Sequence, residues 1–270
     1  MLKIEKTDIH GWEAAIRGAR NSFNSWDKSD SEYLSCFEAN AENRTRHTVC
    51  KDSWKIKSEV YHVGDADLAL MKKLAKAGPS HAKYRRFITV TMDVTGPLYW
   101  WKEMDTYKVG TVGNSCSTMH KIADKEFELE DFSHEHLQIR SVASLQHVIK
   151  DLNYYREYYL LLKEQKLKGV DGPEKDIWWQ MIQLLPSSYN QKRTLLVNYE
   201  VLANIYHQRK GHRLDEWKTF CDWIEGLPMS EIITGEETGI DSKAIDTLVD
   251  CGNVYPISPE ECRDLMKGEK

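Results

Sequence analysis

Several signals that assign proteins by inspection are missing from this sequence. No Gly-x-Ser-x-Gly elbow, Walker loop or Gly-x-Gly-x-x-Gly fingerprint occurs in its 270 residues. That weighs against hydrolases and standard nucleotide triphosphatases, and it removes the commonest route to dinucleotide binding. No run of about 18 apolar residues exists, so no membrane span is expected. Six cysteines are present (Cys36, Cys50, Cys116, Cys221, Cys251 and Cys262), but none forms a CxxC pair and no zinc spacing occurs. No metal site is expected. The first residues, Met1-Leu-Lys-Ile-Glu-Lys, lack the apolar run of a signal peptide. A reduced, cytoplasmic protein is the expectation. A formal net charge of -5 gives no broad attraction to nucleic acid polymers or anionic membranes, so any anion must be held by a local basic cluster.

Aromatics are abundant and often paired: Trp100-Trp101, Trp178-Trp179, Tyr154-Tyr155 and Tyr158-Tyr159. Such pairs serve either as core packing or as a stack for a planar ring such as a flavin or a base. The chain is long enough for one large domain or two small ones. Strands and helices mix along it, which predicts an α/β (α+β) protein.

Leu2 to Thr7 alternates as a strand. Asp8 is placed to cap a helix with Trp12, Ala15, Ile16 and Ala19 on one face. Residues 24–63 are polar and irregular and read as an insertion. Gly64-Asp65 opens a helix that Gly78-Pro79 ends. The β-branched run from Arg86 to Val94 is the clearest strand, and Gly96-Pro97 leads into an aromatic helix. Residues 105–120 predict a loop or broken helix. A long amphipathic helix is expected from Phe132 to about Lys166, and another from Glu174 to Leu185, interrupted by Pro186. A short strand at Thr194–Val197 precedes helices over Asn198–Arg209 and Leu214–Leu227, and Pro228 stops the last. Residues 228–270 read as an appendage to a 1–227 domain.

Five constellations could carry chemistry. His134 and His136 flank Glu135, but positions i and i+2 of a helix point apart, which disfavours a shared ion. Cys116, in Asn114-Ser115-Cys116-Ser117, is either a packed thiol or a nucleophile near His120. His81 precedes Lys83, Arg85 and Arg86, which suits either a basic turn or contact with a phosphate or ring. Asn198 and Arg209 lie within about 20° of each other around a helix, with Asn204 displaced by about 120°. These two carboxamides need partners if buried. Lys192-Arg193 and Arg209-Lys210 are the remaining basic pairs, either surface charge or a local field for a phosphate.

Taken together, these segments resemble the flavin-dependent thymidylate synthase family. Gly18-Ala19-Arg20-Asn21-Ser22-Phe23 is similar to its early Ala-Ala-Arg-x-Ser segment. His81, a strand and Gly96-Pro97 then follow in the family's order. Its central arginine-rich signature corresponds here to the run from Thr106 to His120, with Lys108, Asn114 and Ser117 keeping their chemical type. Leu184-Leu185-Pro186 precedes Asn198, Asn204 and Arg209, which keep the family's spacing. The resemblance implies a central sheet with long helices and a homotetramer with shared sites. It also implies FAD, and reductive methylation at C5 of dUMP or a related pyrimidine nucleotide, with methylenetetrahydrofolate and NADPH as co-substrates. By the same resemblance Arg209 would be catalytic and hold the uracil ring, with Ser117, Asn114 and Arg20 also on the substrate. His81, Asn198 and Asn204 would line the flavin pocket, and Lys108 would hold a phosphate by charge.

The departures from the family pattern are arginines replaced at Thr106, Met119, Ile182 and Glu200. Each charge-assisted hydrogen bond lost is worth about 1.5–3 kcal/mol, unless Arg85, Arg86, Lys192 or Arg193 substitutes. A non-catalytic nucleotide- or flavin-binding or assembly protein on the same scaffold is the alternative.

Overall fold

A computed structural model describes residues 2–35, 48–50, 59–167 and 173–235. In chain order the elements begin with strand β1 (Lys3–His10), helix α1 (Trp12–Asn21), strands β2 (Glu32–Ser35), β3 (Thr48–Cys50) and β4 (Glu59–His62), and helix α2 (Asp65–Lys76). Strand β5 (Thr89–Pro97), helix α3 (Leu98–Met104), strand β6 (Val112–Ser115) and the one-turn helix α4 (Thr118–Lys121) follow. Next come helices α5 (Ile139–Leu167) and α6 (Glu174–Leu184), strand β7 (Asn190–Asn198), and helices α7 (Tyr199–Arg209), α8 (Asp215–Glu225) and α9 (Glu231–Thr234). The result is a mixed α/β fold. Two compact units divide the chain: Met1–Asp8 with Thr89–Asp222, and Ile9–Ile88 with Trp223–Lys270.

The first unit is built on a four-stranded sheet ordered β1-β5-β7-β6. Burial along β5 alternates, with Val90, Met92 and Val94 inside. That is the period-two pattern of a strand with one covered face. β5 pairs antiparallel with β7 from Thr89 opposite Asn198 to Pro97 opposite Asn190. β6 joins the far edge, from Val112 opposite Leu196 to Ser115 opposite Arg193. Thus the stretch expected to be a loop contains an edge strand. Helices α5 and α6 share a core of Leu145, Ile149, Leu152 and Met181, with Phe127 and Phe132 packed beside them. A second cluster joins Trp100, Trp101, Trp217 and Phe220, with Trp100 4.7 Å from Trp101 and 5.1 Å from Trp217 between ring centres.

Two boundaries differ from the sequence reading, each for a local reason. The strand begins at Thr89 rather than Arg86, because Lys83–Phe87 forms a 3-10 turn that buries both Tyr84 and Arg85. Consecutive residues of a strand face opposite sides, so a strand could not bury both on one side. The long helix begins at Ile139, seven residues after Phe132. Phe132 is only 1% exposed and bridges to Tyr189. Ser133 donates its N–H to the Ser188 carbonyl and its hydroxyl to Asn190. Those bonds hold the segment extended.

The second unit holds α1, α2, α9 and an antiparallel sheet ordered β2-β4-β3. The expected irregularity of 24–63 therefore gives way to three short strands, and residues 36–47 and 51–58 lie outside the described set. Trp12, Ala15, Ile16 and Ala19 are buried as the spacing predicts. The cap is different. Asp8 lies within β1, and Gly11 starts α1 at φ 97°, a left-handed conformation that suits glycine. A Cβ there would meet the Phe87 carbonyl oxygen at 1.9 Å. At the foot of α2, Asp30 accepts from the N–H groups of Ala66 and Asp67, a cap supplied from a distant loop. Residues 229–234 bury Met229, Ile232 and Ile233, and Glu231 pairs with Lys72 at 3.2 Å.

Candidate functional site

α7 carries three of the predicted residues, and its start is set by one of them. Asn198 is the N-cap, its side-chain oxygen accepting the Val201 N–H at 3.0 Å. This leaves the amide nitrogen of the same side chain against Gly110, where an added Cβ would lie 3.1 Å from it. Gly110 has φ 80° and brings the 107–111 loop close to the helix start. Asn204, one and a half turns further, is exposed and accepts from Gln208 at 2.7 Å.

Arg209 ends the helix inside a polar network. Its Nη1 donates to Glu103 Oε2 at 2.6 Å, and its Nε donates to the Tyr107 hydroxyl at 2.8 Å. The guanidinium lies 4.7 Å from the Trp217 ring and 5.5 Å from the Tyr107 ring, within cation–π range. Trp217 donates its indole N–H to the same Glu103 oxygen at 2.9 Å, and His212 Nε2 stands 3.6 Å from it. Tyr107 donates onward to Gln208 at 3.0 Å. One hydrogen-bonded chain therefore runs Asn204, Gln208, Tyr107, Arg209, Glu103, Trp217. Asn204 and Arg209, on different faces by helical angle, are joined through it.

Lys108, Asn114 and Ser117 lie on the segment after Tyr107. Lys108 and Asn114 are exposed, and Ser117 caps α4 by accepting the His120 N–H at 3.2 Å. Val109 is 91% exposed and Val112 65%, large values for apolar side chains. Cys116 is an exposed free thiol. His134 bonds to the Phe132 carbonyl and His136 pairs with Asp215, so the two imidazoles have separate partners ahead of α5.

Of the four cations considered as substitutes, Lys192 and Arg193 are paired with carboxylates. Lys192 lies 3.1 Å from Asp93, and Arg193 lies 2.7 Å from Asp105 and 4.2 Å from the Trp101 ring. Hydrogen bonds from Thr194 and Lys192 hold the Asp93 carboxyl below its ordinary range. Tyr99 donates to Glu216, and burial followed by that bond pushes its phenol well up. Arg85 is buried.

His81 and Arg20 belong to the second unit. His81 is exposed on the turn after Gly78. Arg20 is 6% exposed, its Nε donating to Asp67 at 2.6 Å. Asp67 also accepts the hydroxyls of Ser29 and Ser31 at 2.7 Å each. Burial pushes the Asp67 carboxyl up, but Ser29, Ser31 and Arg20 outweigh it and leave it lowered.

Glu103, Tyr107, Gln208 and Trp217 were not singled out from sequence. Glu103 lies in the last turn of α3 and Tyr107 three residues beyond its end, so no helical spacing links them.

The architecture is similar to that of the flavin-dependent thymidylate synthases. Two structures of the Helicobacter pylori enzyme, both solved with FAD and dUMP, match at a TM-score of 0.54 and 14% identity. The match covers 87% of this chain in one case and 86% in the other, and 98% of the enzyme chain in both. At that identity the likeness is one of fold. No family model matches the sequence, and no curated protein does.

Proposed function

We propose that this chain is a divergent flavin-dependent thymidylate synthase-like enzyme. It would bind FAD and a pyrimidine nucleotide and methylate C5 of dUMP or a relative, with methylenetetrahydrofolate and NADPH as carbon donor and reductant. One observation carries this reading. α7 presents Asn198, Asn204 and Arg209 in the family's order and spacing, within a fold resembling an enzyme solved with FAD and dUMP.

The residues present fit a nucleotide held by single-point donors rather than by arginine forks. Ser117 accepts from a backbone N–H and keeps its own hydroxyl proton for donation. Lys108 offers an exposed ammonium, which meets a phosphate as a point charge without the bidentate geometry of arginine. Asn114 offers an exposed carboxamide on the sheet edge. Arg209 Nη2 has no hydrogen-bond partner among the described residues and is not sealed from solvent. It would donate to a ring carbonyl, while Asn198 and Asn204 would donate to the flavin; a flavin-lining role for His81 rests on the family resemblance. Arg20 contributes to the fold through Asp67 in this reading. Reduced FAD, when bound, supplies the hydride, as expected where a cofactor carries the hard chemistry. The protein's part is to orient rings and polarise the pyrimidine. A cytoplasmic homotetramer with shared sites belongs to the same proposal, and the exposed Val109 and Val112 are suited to cover by a ligand or second subunit.

A second reading, a non-catalytic binding or assembly protein, has a specific observation in its favour. Arg209, Lys192 and Arg193 are each paired with a carboxylate. The absorbance spectrum of the purified protein, with mass spectrometry of what it releases, tests flavin binding. Incubation with dUMP, methylenetetrahydrofolate and NADPH then separates the two readings. A methylated nucleotide that Arg209→Ala fails to produce supports the enzyme. Bound flavin without product supports the binding protein, and a protein that takes up no FAD sinks both flavin readings.

A further inference from the structure

The charge around Arg209 is arranged for a particular kind of ligand. Its single positive charge meets the Glu103 carboxylate at 2.6 Å, and the pair is partly withdrawn from water, with side chains 18% and 34% exposed. Charge-assisted hydrogen bonds of this kind are short and strong. Trp217 donates to the same carboxylate oxygen, and Tyr107 occupies Nε. One edge of the guanidinium, Nη2, is left to receive a ligand. A phosphate approaching that edge would meet a guanidinium already neutralised and a carboxylate beside it. A carbonyl of a neutral ring needs only one N–H donor and meets no repulsion.

We infer that Glu103 is a specificity-determining residue of the Arg209 edge: it neutralises the guanidinium internally, so that this edge accepts the uncharged carbonyl of a pyrimidine ring and rejects anions. This rests on the reading of Arg209 as the residue that meets the pyrimidine. Any nucleotide phosphate is then bound away from Arg209. Tyr107 and Trp217 fix the guanidinium plane, while Glu103, with His212 3.6 Å from the same oxygen, supplies the opposing charge.

The test uses the full chain without flavin, with deoxyuridine as the neutral probe and inorganic phosphate as the anionic one. Binding is read by the Trp217 indole N–H resonance, assigned with Trp217→Phe. In the unaltered protein, deoxyuridine should move that resonance and phosphate should not. Glu103→Gln keeps the shape and an acceptor oxygen but removes the charge. It should tighten phosphate binding at least about tenfold, equivalent to ~1.4 kcal/mol. Glu103→Asp should restore the rejection, which a merely structural role would not produce. A folded Glu103→Gln protein with an unchanged preference overturns the inference. Should that variant not fold, the unaltered protein and Arg209→Gln decide. Phosphate preferred over deoxyuridine, or a deoxyuridine shift that survives Arg209→Gln, would also overturn it. Failure here with FAD still bound leaves the proposed function standing. Lack of FAD uptake with the deoxyuridine preference intact does the reverse.

Discussion

Two arginine–carboxylate pairs in this molecule have the same N–O distance, 2.6 Å, and opposite settings. The side chains of Arg20 and Asp67 are 8% and 1% exposed, and Asp67 is surrounded by Ser29, Asp30 and Ser31. Arg209 and Glu103 are 18% and 34% exposed, with two aromatic rings against the guanidinium. A buried charge needs compensation, and around Asp67 the Ser29, Asp30, Ser31 and Arg20 donors supply it, tying a loop, α1 and α2 together, while Arg20 Nη2 stays buried with no partner among the described residues. A partly exposed charge leaves an edge to spare. The first pair is sealed within the fold, and the second, with Arg209 Nη2 open to solvent, is the one we propose meets a ligand.

Breaking the buried pair should have the largest effect. Asp67→Ala strands the Arg20 guanidinium, a loss of about 3–5 kcal/mol, read by thermal or denaturant unfolding. A smaller loss than that of Arg209→Ala would invert the comparison. Acid should act on the same point. The Asp67 carboxyl is lowered in the folded state, so its stabilisation is fully present above the ordinary carboxylate range and is lost as pH falls through the folded value. Unfolding free energy measured from neutrality downwards should fall less steeply in Asp67→Asn than in the unaltered protein. Equal slopes would mean that other carboxylates dominate.

Smaller effects sharpen the other side. Asn198→Ala removes the α7 cap and should cost about 1 kcal/mol, while also weakening FAD uptake if the Asn198 amide faces the flavin. A stability loss with unchanged flavin affinity would confine Asn198 to its capping role. Cys116→Ser should change stability by less than about 0.5 kcal/mol and leave turnover intact. Lost turnover in a folded Cys116→Ser protein would revive the cysteine as a nucleophile.

The sequence made some of this legible and hid the rest. α7 was readable because a capping asparagine, an apolar face and basic residues in the last turn mark its two ends. β5 was readable from its β-branched alternation, although the buried Tyr84 and Arg85 moved its start. The partners of Arg209 were not readable. Tyr107 and Glu103 stand 102 and 106 residues away from it, and periodicity encodes neighbours along a helix, not bonds between distant elements. Likewise Arg20 matches a family segment, yet its partner Asp67 lies 47 residues on and only the packing of α2 brings it there. Thr106, where the family pattern has an arginine, reads as a loss in sequence, and Tyr107 stands next to it. In the structure Tyr107 supplies the hydroxyl that holds the guanidinium.

The most direct test of the account is a titration of the purified protein with FAD, followed by dUMP, recorded as difference absorbance for the unaltered chain and for Arg209→Ala. FAD should bind to both, and dUMP should perturb the flavin spectrum only where Arg209 is present. A folded protein that binds no FAD, or a dUMP response indifferent to the loss of Arg209, would contradict it.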